Sequence, residues 1–165
     1  MSDQELENRL QRVETQLAYA DLCSRYTHGV DKAERESFLA IWTENAEWNL
    51  GENFGNYSGT EAIAECWENL QVNFHEMHHG TTNLQIIEYG NNSAVGRCDA
   101  FVPGTDAFGV ANAAAASYVD RLERGKDGLW RFSKRDITVH FLVPWTKPQS
   151  IEDSTRGYLM AEVDH

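Results

Sequence analysis

Ser117-Tyr-Val-Asp-Arg-Leu-Glu123, the turn Gly125-Lys-Asp-Gly128 and the run Leu129-Trp-Arg-Phe-Ser-Lys-Arg-Asp-Ile-Thr-Val-His-Phe141 decide the fold of this chain. Ala113 to Ala116, just upstream, favour helix by propensity, but from Ser117 onward apolar and polar residues alternate. A Gly-bounded turn between two alternating runs is the signature of a β-hairpin, so residues 110–123 read as strand. Further upstream, Ala94–Val102 and Leu84-Gln-Ile-Ile-Glu-Tyr89 are strands joined by Gly90-Asn-Asn-Ser93, and Pro103-Gly104 breaks the first of them. Pro144 ends the last strand. The second half is therefore a four-stranded antiparallel meander.

The first half is mainly helical. Leu6, Leu10, Val13, Leu17 and Ala20 step by three and four, which predicts a helix over 3–29 with this stripe buried. Ser2 or Asp3 caps it and Gly29 ends it. A short helix is expected from Glu34 to Trp42, then a strand over Ala46–Leu50, a Gly- and Asn-rich turn or hairpin from Gly51 to Gly59, and a third helix from Thr60 to His75. Helices segregated onto one face of a curved sheet make an α+β layer, and a strongly bent sheet of this kind encloses one cavity suited to apolar ligands. One domain over 1–146 is expected, with 147–165 as a tail that covers the pocket or reaches a neighbouring copy.

Composition narrows the function. The chain has 165 residues, 41% hydrophobic and 11% aromatic, enough for a core and a pocket. With 14 basic and 26 acidic residues the formal charge is −12, which disfavours nucleic acid and anionic membranes and suits a small hydrophobic substrate. No run approaches the roughly 20 apolar residues of a membrane span. Cys23, Cys66 and Cys98 are odd in number with no C-x-x-C, and the N-terminus lacks a secretory pattern, so a reduced, cytoplasmic protein is expected.

Two short stretches carry the chemistry: Tyr26-Thr-His-Gly-Val-Asp31 and Phe74-His-Glu-Met-His-His79-Gly-Thr-Thr-Asn83. An imidazole titrates closest to working pH, and a carboxylate on one ring nitrogen fixes its tautomer and strengthens it as a base. His79 is the candidate base and Asp31 its orienting partner. Tyr26 is a candidate hydrogen-bond donor to a leaving or developing oxygen. Arg135 is a cation on a strand that would need a partner or an anion if it faced a dry pocket. Trp42, Trp48, His78, Asn83, Phe101, Phe141 and Trp145 are candidate pocket residues. His75-Glu-Met-His-His79 matches H-E-x-x-H, with His140 as the sole candidate third ligand. Zinc chemistry needs both His on one helix, and Gly80-Thr-Thr-Asn favours strand entry, so no metal or other cofactor is expected.

Gly29-Val-Asp31-Lys32, Ile41-Trp42, Ala46-Glu-Trp48, Phe74-His-Glu76, His79, Asn83-Leu84 and Asp127-Gly128 through Arg135, taken in order, resemble the nuclear-transport-factor-2-like superfamily. The nearest likeness is to its SnoaL-like dehydratase and dehydrochlorinase branch. The resemblance implies a cone-shaped α+β barrel, with three helices on the concave face of a strongly curved mixed or antiparallel sheet. It also implies a homo-oligomer, often a trimer. In the dehydrochlorinases of this branch an Asp–His pair, a Lys and an Arg act together. By the resemblance these fall on Asp31, His79 and Arg135, with the Lys at Arg25 or, the better match, Tyr26. A Tyr there is similar to the bile-acid and scytalone dehydratases and tilts the expectation toward an oxygen leaving group.

The function expected is a cofactor-independent lyase that removes water or another oxygen-linked group from a small cyclic or aromatic substrate. A carbon–carbon variant, in which a hydroxymethyl group leaves as formaldehyde, uses the same base. Elimination of hydrogen halide, isomerisation of the ketosteroid-isomerase kind, and a non-catalytic ligand-binding module are the alternatives.

Overall fold

A computed structural model describes residues 1–145. The expected tail, 147–165, lies outside the described residues. The chain runs α1 (Asp3–Asp31), α2 (Arg35–Leu39), β1 (Trp42–Asn49), β2 (Asn56–Ser58), α3 (Gly59–Asn73), β3 (Phe74–His75), β4 (Gly80–Tyr89), β5 (Ser93–Asp106), β6 (Ala111–Arg124) and β7 (Trp130–Pro144). The three helices cover a curled mixed sheet of order β2-β1-β7-β6-β5-β3, with β4 also pairing with β5. Among the described residues β1 and β7 pair in parallel and the other pairs are antiparallel. The cone-shaped α+β fold, the meander and the Gly51–Gly59 hairpin are as expected.

Ser2 caps α1 in a complete capping box: its hydroxyl accepts from the Glu5 N–H at 3.2 Å and the Glu5 carboxylate accepts from the Ser2 N–H at 2.7 Å. The predicted buried face is wrong, however. Leu6, Leu10, Val13 and Leu17 are 53–65% exposed, and Ala20 is exposed too. Thr15, Tyr19, Leu22, Cys23, Tyr26 and Val30 face the core instead. Periodicity shows that a helix has an apolar stripe but not what covers it, and α1 carries two.

Two other expectations shift for identifiable reasons. Trp42 opens β1 rather than closing α2. β5 runs through Pro103 and Gly104, because β4 stops pairing at Phe101 and β3 starts at Thr105. Between those edges Pro103 needs no ladder donor, and its carbonyl accepts from the His78 N–H at 3.0 Å.

The core is strongly aromatic. Tyr26, Phe38, Trp42, Trp48 and Phe132 pack at tilted or edge-to-face angles, with centroids 5.3–6.3 Å apart among the pairs Tyr26–Phe38, Tyr26–Trp42, Phe38–Trp48 and Trp42–Phe132. Gly29 makes the close approach of α1 and α2 workable: a Cβ there would lie 2.6 Å from the Phe38 Cβ. The last turn of α1 leaves carbonyls without helical partners, and α3 supplies donors for two of them. Trp67 Nε1 donates to the Gly29 carbonyl and Gln71 Nε2 to that of Val30, each at 3.0 Å. These bonds fix the end of α1, where Asp31 stands.

Candidate active site

His79 reaches the same place from the sheet side. Glu76 turns the chain with a φ of 49°, His78 bonds to Pro103, and His79 enters β4 beside the end of α1. Asp31 then holds it twice. Its Oδ2 accepts the His79 backbone N–H at 2.7 Å, and its Oδ1 lies 2.6 Å from Nδ1. Both side chains are at least nine-tenths buried. An ionised carboxylate only accepts, so Nδ1 carries the proton and Nε2 keeps a free lone pair. Tyr26 sits edge-on to the imidazole, ring centroids 5.9 Å apart at 90°.

These groups border an apolar hollow with about 140 Å³ of unfilled space. Tyr26, Val30, Trp48, Met77, His79, Val102, Tyr118, Ile137 and Leu142 are on its wall, and Asn112 adds an amide. Among the described residues its wall carries no Lys, Arg, Asp or Glu. Burial raises the pKa of the Tyr26 hydroxyl, outweighing the opposing influence of the Arg135 guanidinium and of the nearby Trp48 indole, so the phenol stays protonated. Burial likewise raises the Tyr118 phenol well above its usual value. Trp48 Nε1 is buried with no hydrogen-bond partner among the described residues.

Arg135 does not join them on the wall. It is fully buried, and its Nε and Nη2 grip Asp120 at 2.7 and 2.8 Å. Tyr19 donates to the same carboxylate at 2.8 Å. The guanidinium lies under the rings of Tyr26, Phe132 and Tyr118, at 4.2, 4.3 and 4.7 Å from their centroids. Burial lowers its pKa, but Asp120 more than offsets this and the net shift is upward. Arg135 therefore backs Tyr26 from below, where the sequence reading had it reach the substrate.

The expected pocket residues divide sharply. Trp48 lines the hollow, and Trp42 packs behind it in the core. His78 is exposed, and Asn83, also exposed at a φ of 57°, donates to Asp99 at 2.8 Å. Phe101, Phe141 and Trp145 are 44–50% exposed on the outer side of the sheet, where Phe101 and Trp145 meet edge-on. Phe141 misses the hollow because of a bulge. Ala115 pairs with Phe141 and Ala116 with Val139, which leaves His140 as an extra residue and makes Leu142 the next inward side chain. Tyr118 was missed, although it alternates with Ala116 and Asp120 on one face of β6.

The H-E-x-x-H match has no helix beneath it, since α3 ends at Asn73 and His75 lies in β3. His140 lies instead against Ser117, 2.8 Å away. One other group of potential ligands occurs among the described residues: Cys23, Cys98 and Asp120, with ligand atoms within 4.8 Å of one another. There the Arg135 guanidinium already supplies the positive charge.

Comparison with known proteins agrees with this fold. Residues 11–136 match the SnoaL-like domain family. Gamma-hexachlorocyclohexane dehydrochlorinase of Sphingobium indicum is 33% identical over 137 residues, covering 82% of this chain and 86% of that protein. The crystal structure of LinA superposes with a TM-score of 0.78 at 32% identity, over 84% of this chain and 94% of that one. A scytalone-dehydratase-like protein from Novosphingobium aromaticivorans shares the fold, with a TM-score of 0.74 at 19% identity over 83% and 91% of the two chains.

Proposed function

Since this chain belongs to the SnoaL-like domain family, alongside dehydrochlorinases, we propose that it is a lyase that removes an oxygen-linked group from a small, largely apolar cyclic or aromatic substrate without a cofactor. The observation that carries this reading is the double grip of Asp31 on His79 beside an apolar hollow. His79 Nε2 takes a proton from a ring carbon. The C–H electron pair becomes the new double bond, and the group on the neighbouring carbon leaves with its bonding pair. Asp31 stabilises the imidazolium that forms. Tyr26 donates a hydrogen bond to the leaving oxygen, which departs as water once it takes up the proton from His79, and Arg135 positions Tyr26 from below. Loss of a hydroxymethyl group as formaldehyde would begin instead by deprotonating its hydroxyl with the same base.

The dehydrochlorinase relatives favour a second reading, elimination of hydrogen chloride. Departing chloride needs a cation or strong donor nearby, and among the described residues no Lys or Arg is on the wall of the hollow. A protonated phenol suits departing hydroxide better. The three free, buried cysteines support a reducing, cytoplasmic setting, and the outward Phe101, Phe141 and Trp145 support the trimer that the family resemblance implies.

Purified protein offered hydroxylated and chlorinated rings decides between the two readings. New ultraviolet absorption with loss of water supports the first, and chloride release at a comparable rate replaces it with the second. Turnover that survives both His79→Ala and Asp31→Asn would refute the base assignment in either case.

A further inference from the structure

The exposed stripe on α1 has the wrong composition for a solvent-facing surface. Leu6, Leu10, Val13, Leu17 and Ala20 are spaced four, three, four and three apart, the a/d alternation of a heptad. All five are exposed, while Thr15, Tyr19, Leu22 and Tyr26 face the cone. At 3.6 residues per turn the two stripes lie roughly 160° apart, so α1 is anchored by one side and offers the other. The free stripe runs from Leu6 to Ala20, half of the helix and about 21 Å at 1.5 Å per residue.

We infer that this seam packs against the same seam of a second copy of the chain, with the two helices parallel. Charge selects both the partner and its direction. With Leu10 and Leu17 at a, the e positions are Glu7, Glu14 and Asp21, and the free g positions are Arg9 and Gln16. In a parallel pair each g residue faces the e residue five places further along the partner. Arg9 of each copy then meets Glu14 of the other, twice by symmetry. In an antiparallel pair the three acidic e positions face one another and repel. Neither Arg9 nor Glu14 has an ion-pair partner among the described residues. This inference stands apart from the elimination reading, because the seam is at the opposite end of α1 from Asp31.

Sedimentation equilibrium of the full chain tests it, with circular dichroism to verify the fold. The wild type is expected to contain an even number of copies, six where the trimer also forms through the sheet face, and Leu10→Glu/Leu17→Glu to halve its mass. Arg9→Glu and Glu14→Arg should each weaken pairing at least tenfold, and the double variant R9E/E14R should restore it, a rescue that loss of fold cannot imitate. An odd-numbered or monomeric wild type, or a mass unchanged by the Leu substitutions, overturns the inference. So does a stripe covered by the chain's own residues 146–165, seen as a mass that stays constant on dilution and rises when those residues are removed.

Discussion

One Asp31 oxygen lies 2.6 Å from Nδ1 of His79 while the other accepts the backbone N–H of that same residue at 2.7 Å. The carboxylate thus fixes both the position and the tautomer of the imidazole. Asp31→Asn keeps the shape but can present an N–H to Nδ1, which moves the ring proton to Nε2 and removes the base. We expect kcat to fall about 10²–10⁴-fold for Asp31→Asn and at least as far for His79→Ala. Equilibrium ligand binding should stay within a few-fold of wild type. Steady-state kinetics alongside binding of a substrate analogue checks both.

Tyr26→Phe separates ring from hydroxyl. The ring's contacts with Phe38, Trp42, Trp48 and the Arg135 guanidinium remain, so the fold should be preserved. Removing the donor should lower kcat about 10²–10³-fold for an oxygen leaving group. With a good leaving group that needs no proton the loss should be much smaller. A pair of substrates differing only in leaving group reads this directly.

The Asp120–Arg135 pair governs stability. Both members are fully buried, and Asp120 also accepts from Tyr19. Asp120→Asn leaves a buried guanidinium without its counter-charge and should cost about 3–5 kcal/mol in urea unfolding. Replacing both together, as in Asp120→Leu/Arg135→Met, should cost less than the sum of the single changes. Equal additivity would mean the two charges do not support each other.

Asp127 provides a pH signature. Hydrogen bonds from Arg131, and then from the Leu129 N–H, hold its carboxyl down at about 2, against an ordinary 3.8. A depressed carboxylate contributes stability that is present above the unfolded value and lost as pH falls through the folded one. The β6–β7 hairpin should therefore lose support between about pH 4 and pH 2. Asp127→Asn should flatten that part of the acid-unfolding curve while leaving activity at neutral pH unchanged.

Much of the architecture was legible because it rests on local pattern. Alternation identified the meander, and the Gly-rich stretch 51–59 identified the β1–β2 hairpin. The Asp31–His79 pair was legible through the family resemblance and not through spacing, since the two residues are 48 positions apart and only the fold brings them together. Sidedness was the weak point. The bulge at His140 shifts the alternation, which sent Phe141 outward and Leu142 inward. The α1 stripe had the period of a buried face but not its surroundings. Arg135 had the right strand and facing, but Tyr26 and Tyr118 lie between it and the hollow.

Arg135, Asp120, Tyr19 and Phe132, all without solvent exposure, form a solid floor behind Tyr26 and Tyr118 on the wall of the hollow. Nothing can pass through on that side. A substrate that enters head first has to back out as product, past whatever is arriving. Such a dead-end chamber should show product competing with substrate for the same doorway, so that turnover slows as a reaction nears completion even while fresh substrate remains.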